Sequence, residues 1–315
     1  MQILLWIMTL GVLFVNGWTD APNAIAAAIS TGALSMRKGI LLAAVMNALG
    51  GCAAMILGQK VAETVFYLGD FSPDAAGTAA LAAAMLAVIL WAVIAWRFGI
   101  PTSESHGLMA GILGAALAQR GGGISTVALG RVAVGLVLSV GLGFILGRLL
   151  AQLFRQWNFS PRLWRGGQIV SAALMAFTHG LQDTPKFASM LLLAQGGAGF
   201  ALPLWILLGC SGVMSLGTLL GGGRIIQTVG NKMVRLTERE GFAADLAGSI
   251  SLLLSTLQGL PVSTTHAKTC AMMGAAEHSV NGRVAGSMFA AWLLTFPACG
   301  ILGFLLTKAI FLFAF

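Results

Sequence analysis

The sequence predicts an all-α, polytopic membrane protein made of two inverted-topology repeats of about 5–6 membrane helices each, with broken or re-entrant helices. Three observations lead there. Of the 315 residues, 57% are hydrophobic and only 9% are charged, where soluble domains carry about 25% charged residues. Four short motifs recur in the same order about 160 residues further on. The Lys and Arg residues lie between apolar runs, unequally in equivalent loops.

Mean hydropathy is +0.89, and 28 charges could not cover a water-facing globule of this length. Composition alone excludes disorder, a secreted disulfide scaffold and a coiled coil. The pI near 10 comes from dispersed loop charges, so it does not point to nucleic acid. Cys52, Cys210, Cys270 and Cys299 stand singly in apolar stretches, with no metal or disulfide spacing, and read as core packing. Met1–Val15 is apolar without a basic leader or a small-residue cleavage site, and reads as a first membrane segment.

Apolar runs cover residues 2–17, 21–35, 39–58, 76–98, 101–119, 125–153, 167–180, 185–196, 201–223, 243–258, 261–276 and 284–314. Some are long enough to span a bilayer; others are cut short by Pro, Gly or a charge. The interrupted runs pair up. Asn16-Gly-Trp-Thr-Asp20-Ala-Pro22-Asn23 is echoed by His179-Gly-Leu-Gln-Asp183-Thr-Pro185-Lys186. Lys60-Val-Ala-Glu-Thr64-Val65 is echoed by Arg224-Ile-Ile-Gln-Thr228-Val229. Gly99-Ile-Pro101-Thr-Ser103-Glu-Ser105-His106 is echoed by Gly259-Leu-Pro261-Val-Ser263-Thr-Thr265-His266, and Gly130-Arg131-Val-Ala by Gly282-Arg283-Val-Ala. The expected organisation is therefore repeat 1 over 1–154, an inter-repeat cytoplasmic loop over 155–166 and repeat 2 over 167–315.

Loop charge sets the orientation. The loop at 36–38 holds Arg37 and Lys38, and its partner at 195–201 holds no Lys or Arg. The loop at 59–77 holds Lys60, while its partner at 223–245 holds Arg224, Lys232, Arg235 and Arg239. Equivalent loops thus fall on opposite faces, with 36–38, 154–166 and 224–245 inside and 59–77, 195–201 and both termini outside. The loops at 120–131 and 277–283 carry too little charge to place.

Asp20 and Asp183 lie inside apolar spans, each two residues before a Pro. An intramembrane carboxylate costs about 2.5–3.5 kcal/mol on insertion scales, and Pro interrupts the helix ladder. Twice over, this is the signature of a midplane ion and substrate site at two broken helices. Carboxylates, the amides of Asn16 and Asn23 and freed carbonyls are hard oxygen ligands suited to Na⁺ or a proton. In the second pair, Pro101 and Pro261 start helices whose first turns carry Ser103, Ser105, Ser263, Thr264 and Thr265. Two helix N-termini lined with hydroxyls make a seat for a tetrahedral oxyanion. Lys186 either neutralises Asp183 or reaches the anion. Glu104, whose counterpart is Thr264, either binds a cation or caps its helix. His106 and His266 read as helix-packing residues, His179 as a residue that holds the broken segment, and Lys268 as a side chain snorkelling to the interface.

At these residues the chain resembles the inorganic phosphate transporter (PiT) family, whose two inverted halves each carry a signature near Gly-Ala-Asn-Asp-x-x-Asn or Gly-Ala-Asn-Asp-x-x-Lys, followed by Gly-x-Pro-x-Ser-x-x-His. The matches are Gly17, Asp20 and Asn23; Gly180, Asp183 and Lys186; Gly99, Pro101, Ser103 and His106; and Gly259, Pro261, Ser263 and His266. Thr19 and Gln182 stand where the signature has Asn, and Glu104 where a small hydroxyl is usual. The resemblance implies cation-coupled import of phosphate through the cytoplasmic membrane, with Na⁺ or H⁺ as coupling ion. The block of substrate-binding candidates is Asn23, Lys186, Ser103, Ser105, Ser263, Thr264 and Thr265; that of cation-coupling candidates is Asp20, Asp183, Asn16 and Glu104. No cofactor is expected beyond the transported ions, and the resemblance hints at a homodimer. Sulfate permeases share the family, but protonated phosphate can donate to a carboxylate and sulfate cannot. An intramembrane hydrolase fits poorly, because adjacent Ser105 and His106 point about 100° apart on a helix and the motif occurs twice. A passive anion channel is the other rival.

Overall fold

The computed structural model describes residues 1–119, 121–193, 200–278 and 280–314. Repeat 1 supplies α1 (Gln2–Thr19), a 3₁₀ turn (Ala21–Ile25), α2 (Ala26–Ser30), α3 (Met36–Leu57), α4 (Gln59–Phe66), α5 (Ala75–Arg97), α6 (Glu104–Ala118) and α7 (Thr126–Arg155). Repeat 2 supplies α8 (Pro161–Leu193), α9 (Leu204–Leu220), α10 (Gly223–Ile226), a π-helical turn (Gln227–Met233), α11 (Glu238–Leu257), α12 (Thr264–Ala275) and α13 (Gly282–Ala314). Five spans among the described residues are long and apolar enough to cross a membrane. A sixth arises if α9 is joined to Gly223–Met233 across a 66° bend. At 33 residues α8 is long enough too, but the polar residues around Asp183 lower its apolarity.

Contacts sort the loops into two ends. At one end Thr31 donates to Gln168 (2.9 Å), Arg165 to the Ala33 carbonyl (3.2 Å) and Arg224 to the Arg97 carbonyl (3.2 Å). Glu277 joins the same end through Arg155 (3.5 Å) and Arg239 (2.8 Å). At the other end Gln59 bonds to Leu202 in both directions, the Asp70 amide donates to the Gly123 carbonyl and Gln119 donates to Ser72. The first end gathers Arg37, Lys38, Arg155, Arg165, Arg224 and Arg239, as the loop charges require. Contacts also place the two loops that charge left open: 121–125 lies with 68–72 and 277–281 with 233–240. Within the loops expected at 195–201 and 120–131, residues 195–199 and 120 lie outside the described residues.

Packing repeats the symmetry. The α3–α8 pair has its mate in α9–α1, α7–α12 in α13–α6, α7–α11 in α13–α5, and α8–α11 in α1–α5. Most of the largest interfaces therefore join one half to the other, while α1–α5 and α8–α11 hold each half together. Glycines let the backbones touch at two of these crossings. A Cβ on Gly17 or Gly180 would collide with the carbonyl of Met214 or Asn47, and one on Gly50 or Gly217 with that of Phe177 or Phe14. The Lys60 and Arg224 echo also gains a purpose. Thr64 donates to the Gly259 carbonyl (2.9 Å) and Thr228 to the Gly99 carbonyl (2.8 Å). Each half thus pins the turn of the other half that begins its hydroxyl-lined helix. Gly99 and Gly259 have φ of 68° and 70°, which side chains resist.

Three expectations are corrected. Pro22 lies in a 3₁₀ break between α1 and α2, but α8 runs through Pro185 without interruption. Losing one backbone donor is tolerated there because α8 is packed on all sides by neighbouring helices, every residue from Thr178 to Leu191 being buried. Lys268 does not snorkel: its ammonium is fully buried and bonded to Asp245 of α11. Gly130 sits one turn inside α7 whereas Gly282 begins α13, so that echo is out of register.

Candidate functional site

His179, Asp183 and Lys186 fall at i, i+4 and i+7 of α8 and so share one helix face, while the equivalent Asn16, Asp20 and Asn23 run from the last turn of α1 into the 3₁₀ break. The two triplets meet across the interface of the halves. The first turns of α6 and α12 reach them through Ser105, Thr264 and Thr265. Asp20 and Asp183 are 2% and 0% exposed. All the residues that contact them are equally buried, so the site is shut off from both ends of the molecule.

Around Asp183, Asn16 Nδ2 donates to Oδ2 (3.2 Å), and Ser105 Oγ and Lys186 Nζ donate to Oδ1 (3.1 and 2.8 Å). Lys186 Nζ also donates to Ser105 Oγ (2.8 Å) and to the Val262 carbonyl in the non-helical chain just before α12 (2.6 Å). Around Asp20, Asn23 Nδ2 donates to Oδ1 (2.9 Å) and to Thr265 Oγ1 (3.1 Å), and Thr265 in turn donates to Oδ1. Thr264 Oγ1 lies 2.9 Å from Asp20 Oδ2 and 3.2 Å from Asp183 Oδ2, joining the two carboxylates. Ser105 thus belongs to the carboxylate of repeat 2, and Thr265 to that of repeat 1.

Glu104 accepts from Thr19 Oγ1 (2.6 Å), and its Oε2 has no partner among the described residues. Asn16 Oδ1, Asn23 Oδ1 and Gln182 Oε1 are likewise buried acceptors with no donor. Ser103 and Ser263 are not among the groups that reach the carboxylates. They cap α6 and α12, accepting from the backbone N–H of His106 (3.2 Å) and His266 (3.1 Å). The two imidazoles lie against each other at 58°, with centroids 4.6 Å apart, where these helices meet.

One residue has a larger part than its sequence reading. His179 Nε2 faces Asp20 Oδ2 at 3.8 Å and Asp183 Oδ2 at 3.5 Å, while Nδ1 sits 2.9 Å from Asn47 Oδ1. Its ring and the two carboxylates form one cluster with ligand atoms within 4.8 Å of one another. The signal was available: His179 precedes Asp183 by four residues and so must share its face. Asn47, on α3, left no such signal. Chemically, the cluster offers a cation many oxygens, and an anion the hydroxyls and N-termini of two helices.

Comparisons with known proteins bear on this geometry. The profile of a family described as "Phosphate transporter family" matches the chain twice, over residues 16–162 and 158–303. A protein of Rhizobium meliloti (strain 1021) described as "Probable low-affinity inorganic phosphate transporter" is 36% identical over 306 residues, spanning 92% of this chain and 90% of its own. A protein of Bacillus subtilis (strain 168) with the same description is 34% identical over 319 residues, spanning 96% and 95%. A solved structure described as "The sodium-dependent phosphate transporter" superposes with a TM-score of 0.88 at 21% identity, covering 99% of both chains, which fixes the fold.

Proposed function

This chain belongs to the phosphate transporter family, and from that premise we propose that it is a secondary transporter importing inorganic phosphate through the cytoplasmic membrane, coupled to Na⁺ or H⁺, by alternating access around the occluded midplane site. The observation that carries this reading is the meeting of Asp20 and Asp183, one from each half, with the hydroxyl-lined N-termini of α6 and α12. Coupling cations would sit on the carboxylates and on the donor-less oxygens of Asn16, Asn23 and Glu104. The tetrahedral anion would take the hydroxyls and the helix N-termini. Order is enforced by charge: three carboxyl groups against one ammonium repel an anion until cations arrive, so neither moves alone. Residues 1–154 and 167–315 then supply the two repeats whose relative motion opens one end at a time, linked through 155–166. That organisation is part of the proposal, as is assembly into a homodimer.

The test is uptake of labelled phosphate into proteoliposomes under a Na⁺ gradient, an H⁺ gradient or neither. Accumulation against the phosphate gradient under one cation gradient is expected, with arsenate competing and sulfate not. Uptake that only equilibrates would identify a channel, and sulfate accumulation a different oxyanion carrier.

A further inference from the structure

The two half-sites are built alike and finished differently. In one, Asp183 Oδ1, Ser105 Oγ and the Val262 carbonyl converge on a single point at 2.8, 2.8 and 2.6 Å. A carboxylate, a hydroxyl and a carbonyl from the non-helical chain just before α12 are the ligands expected of a bound Na⁺. What occupies that point is Lys186 Nζ, fully buried. In the other half-site, Asp20 and Thr265 stand as Asp183 and Ser105 do, and the residue equivalent to Lys186 is Asn23. Its amide nitrogen spans the same pair of oxygens. Its own oxygen, 2% exposed at the residue, has no donor among the described residues. A cation is present by covalent attachment in one half and called for by an idle acceptor in the other.

Resting on the reading of the chain as a cation-coupled phosphate transporter, we propose that the Lys186 ammonium is a tethered substitute for one coupling cation, so that transport uses one mobile cation fewer than the two-fold design of the site provides for. A mobile coupling cation then binds in the Asn23 half, on Asp20, Thr265 and the Asn23 oxygen. The tethered charge makes every turnover carry one positive charge that returns with the protein and never dissipates a gradient. The transporter therefore trades concentrating power for a lower demand on ions.

Two reciprocal variants test this in proteoliposomes loaded for phosphate uptake, with insertion and dispersity measured first. Lys186→Asn recreates the Asn23 arrangement in the second half. Its uptake should collapse at low Na⁺ and recover as Na⁺ is raised, with the apparent order in Na⁺ higher than in the wild type by about one. Asn23→Lys tethers a charge in both halves, and its uptake should lose dependence on the coupling cation. An unchanged order in Lys186→Asn, or a loss that Na⁺ does not restore, overturns the proposal, as does preserved cation dependence in Asn23→Lys. Should Lys186→Asn fail to insert, Asn23→Lys decides alone. Wild-type protein that takes up no phosphate under any cation gradient would remove the functional reading and this proposal together, an outcome separable from failure of the variants alone.

Discussion

Thr264 has one hydroxyl proton and two carboxylate oxygens within reach, at 2.9 and 3.2 Å. It can donate to only one at a time, which leaves the other facing an oxygen. On the proposed function, a cation lodged between Asp20 and Asp183 would relieve that conflict, which ties Thr264 to occupancy of the site. A hydrogen bond to a charged group is worth about 1.5–3 kcal/mol. Thr264→Val should therefore raise the phosphate KM by about tenfold or more, and Thr264→Ser, which keeps the hydroxyl, should restore it in the same uptake assay. Asp20→Asn and Asp183→Asn remove a charge and an acceptor from a set the halves share. Each should abolish coupled uptake while the protein still inserts and runs monodisperse in detergent. Normal accumulation by either variant would dissociate the carboxylates from coupling.

At the scale of elements, the pairing of α12 with α11 through Lys268 and Asp245 has no counterpart in repeat 1, where Leu108 stands at the position of Lys268. Breaking a buried ion pair from one side leaves an uncompensated charge and costs about 3–5 kcal/mol, whereas replacing both members by apolar residues is often neutral. Lys268→Met should accordingly lower the thermal midpoint in detergent, and the double variant Lys268→Met, Asp245→Leu should recover most of the loss. The same pair shows where sequence reading stops. A lone Lys in an apolar run has two exits, to the interface or to a buried acid, and Asp245 lies in another run with nothing to tie the two. The Gly99 and Gly259 turns were legible because glycine, proline and hydroxyls in that order leave one local structure. The break at Pro22 and the continuity at Pro185 were not, since the same Asp-x-Pro spacing ends in a 3₁₀ turn in one half and sits inside a continuous helix in the other. Asn16, Asp20, Asn23, Asp183 and Lys186 were legible as a group because polar residues inside apolar spans demand partners. Which half each hydroxyl would serve was not, because that depends on the crossing of helices far apart in the chain.

Across the whole molecule, equivalent loops lie at opposite ends and the basic ones share a single end. Cysteines introduced at Lys60 and Lys232, in a background lacking the four native ones, should label from opposite faces of sealed vesicles, with position 232 reached only from the cytoplasmic side. Labelling of both from one face would contradict inversion. The intertwined packing carries a further meaning. Ser105 of the first half completes the carboxylate of the second, Thr265 of the second completes that of the first, and Thr64 and Thr228 exchange the same service at the turns. A half-length chain holds an acid without its hydroxyls and a turn without its anchor, yet two copies inserted in opposite senses could supply each other. The present sequence has left that equivalence behind: with Lys on one side and Asn on the other, Glu opposite Thr, and His opposite Asn, the halves are no longer interchangeable parts but a matched left and right hand.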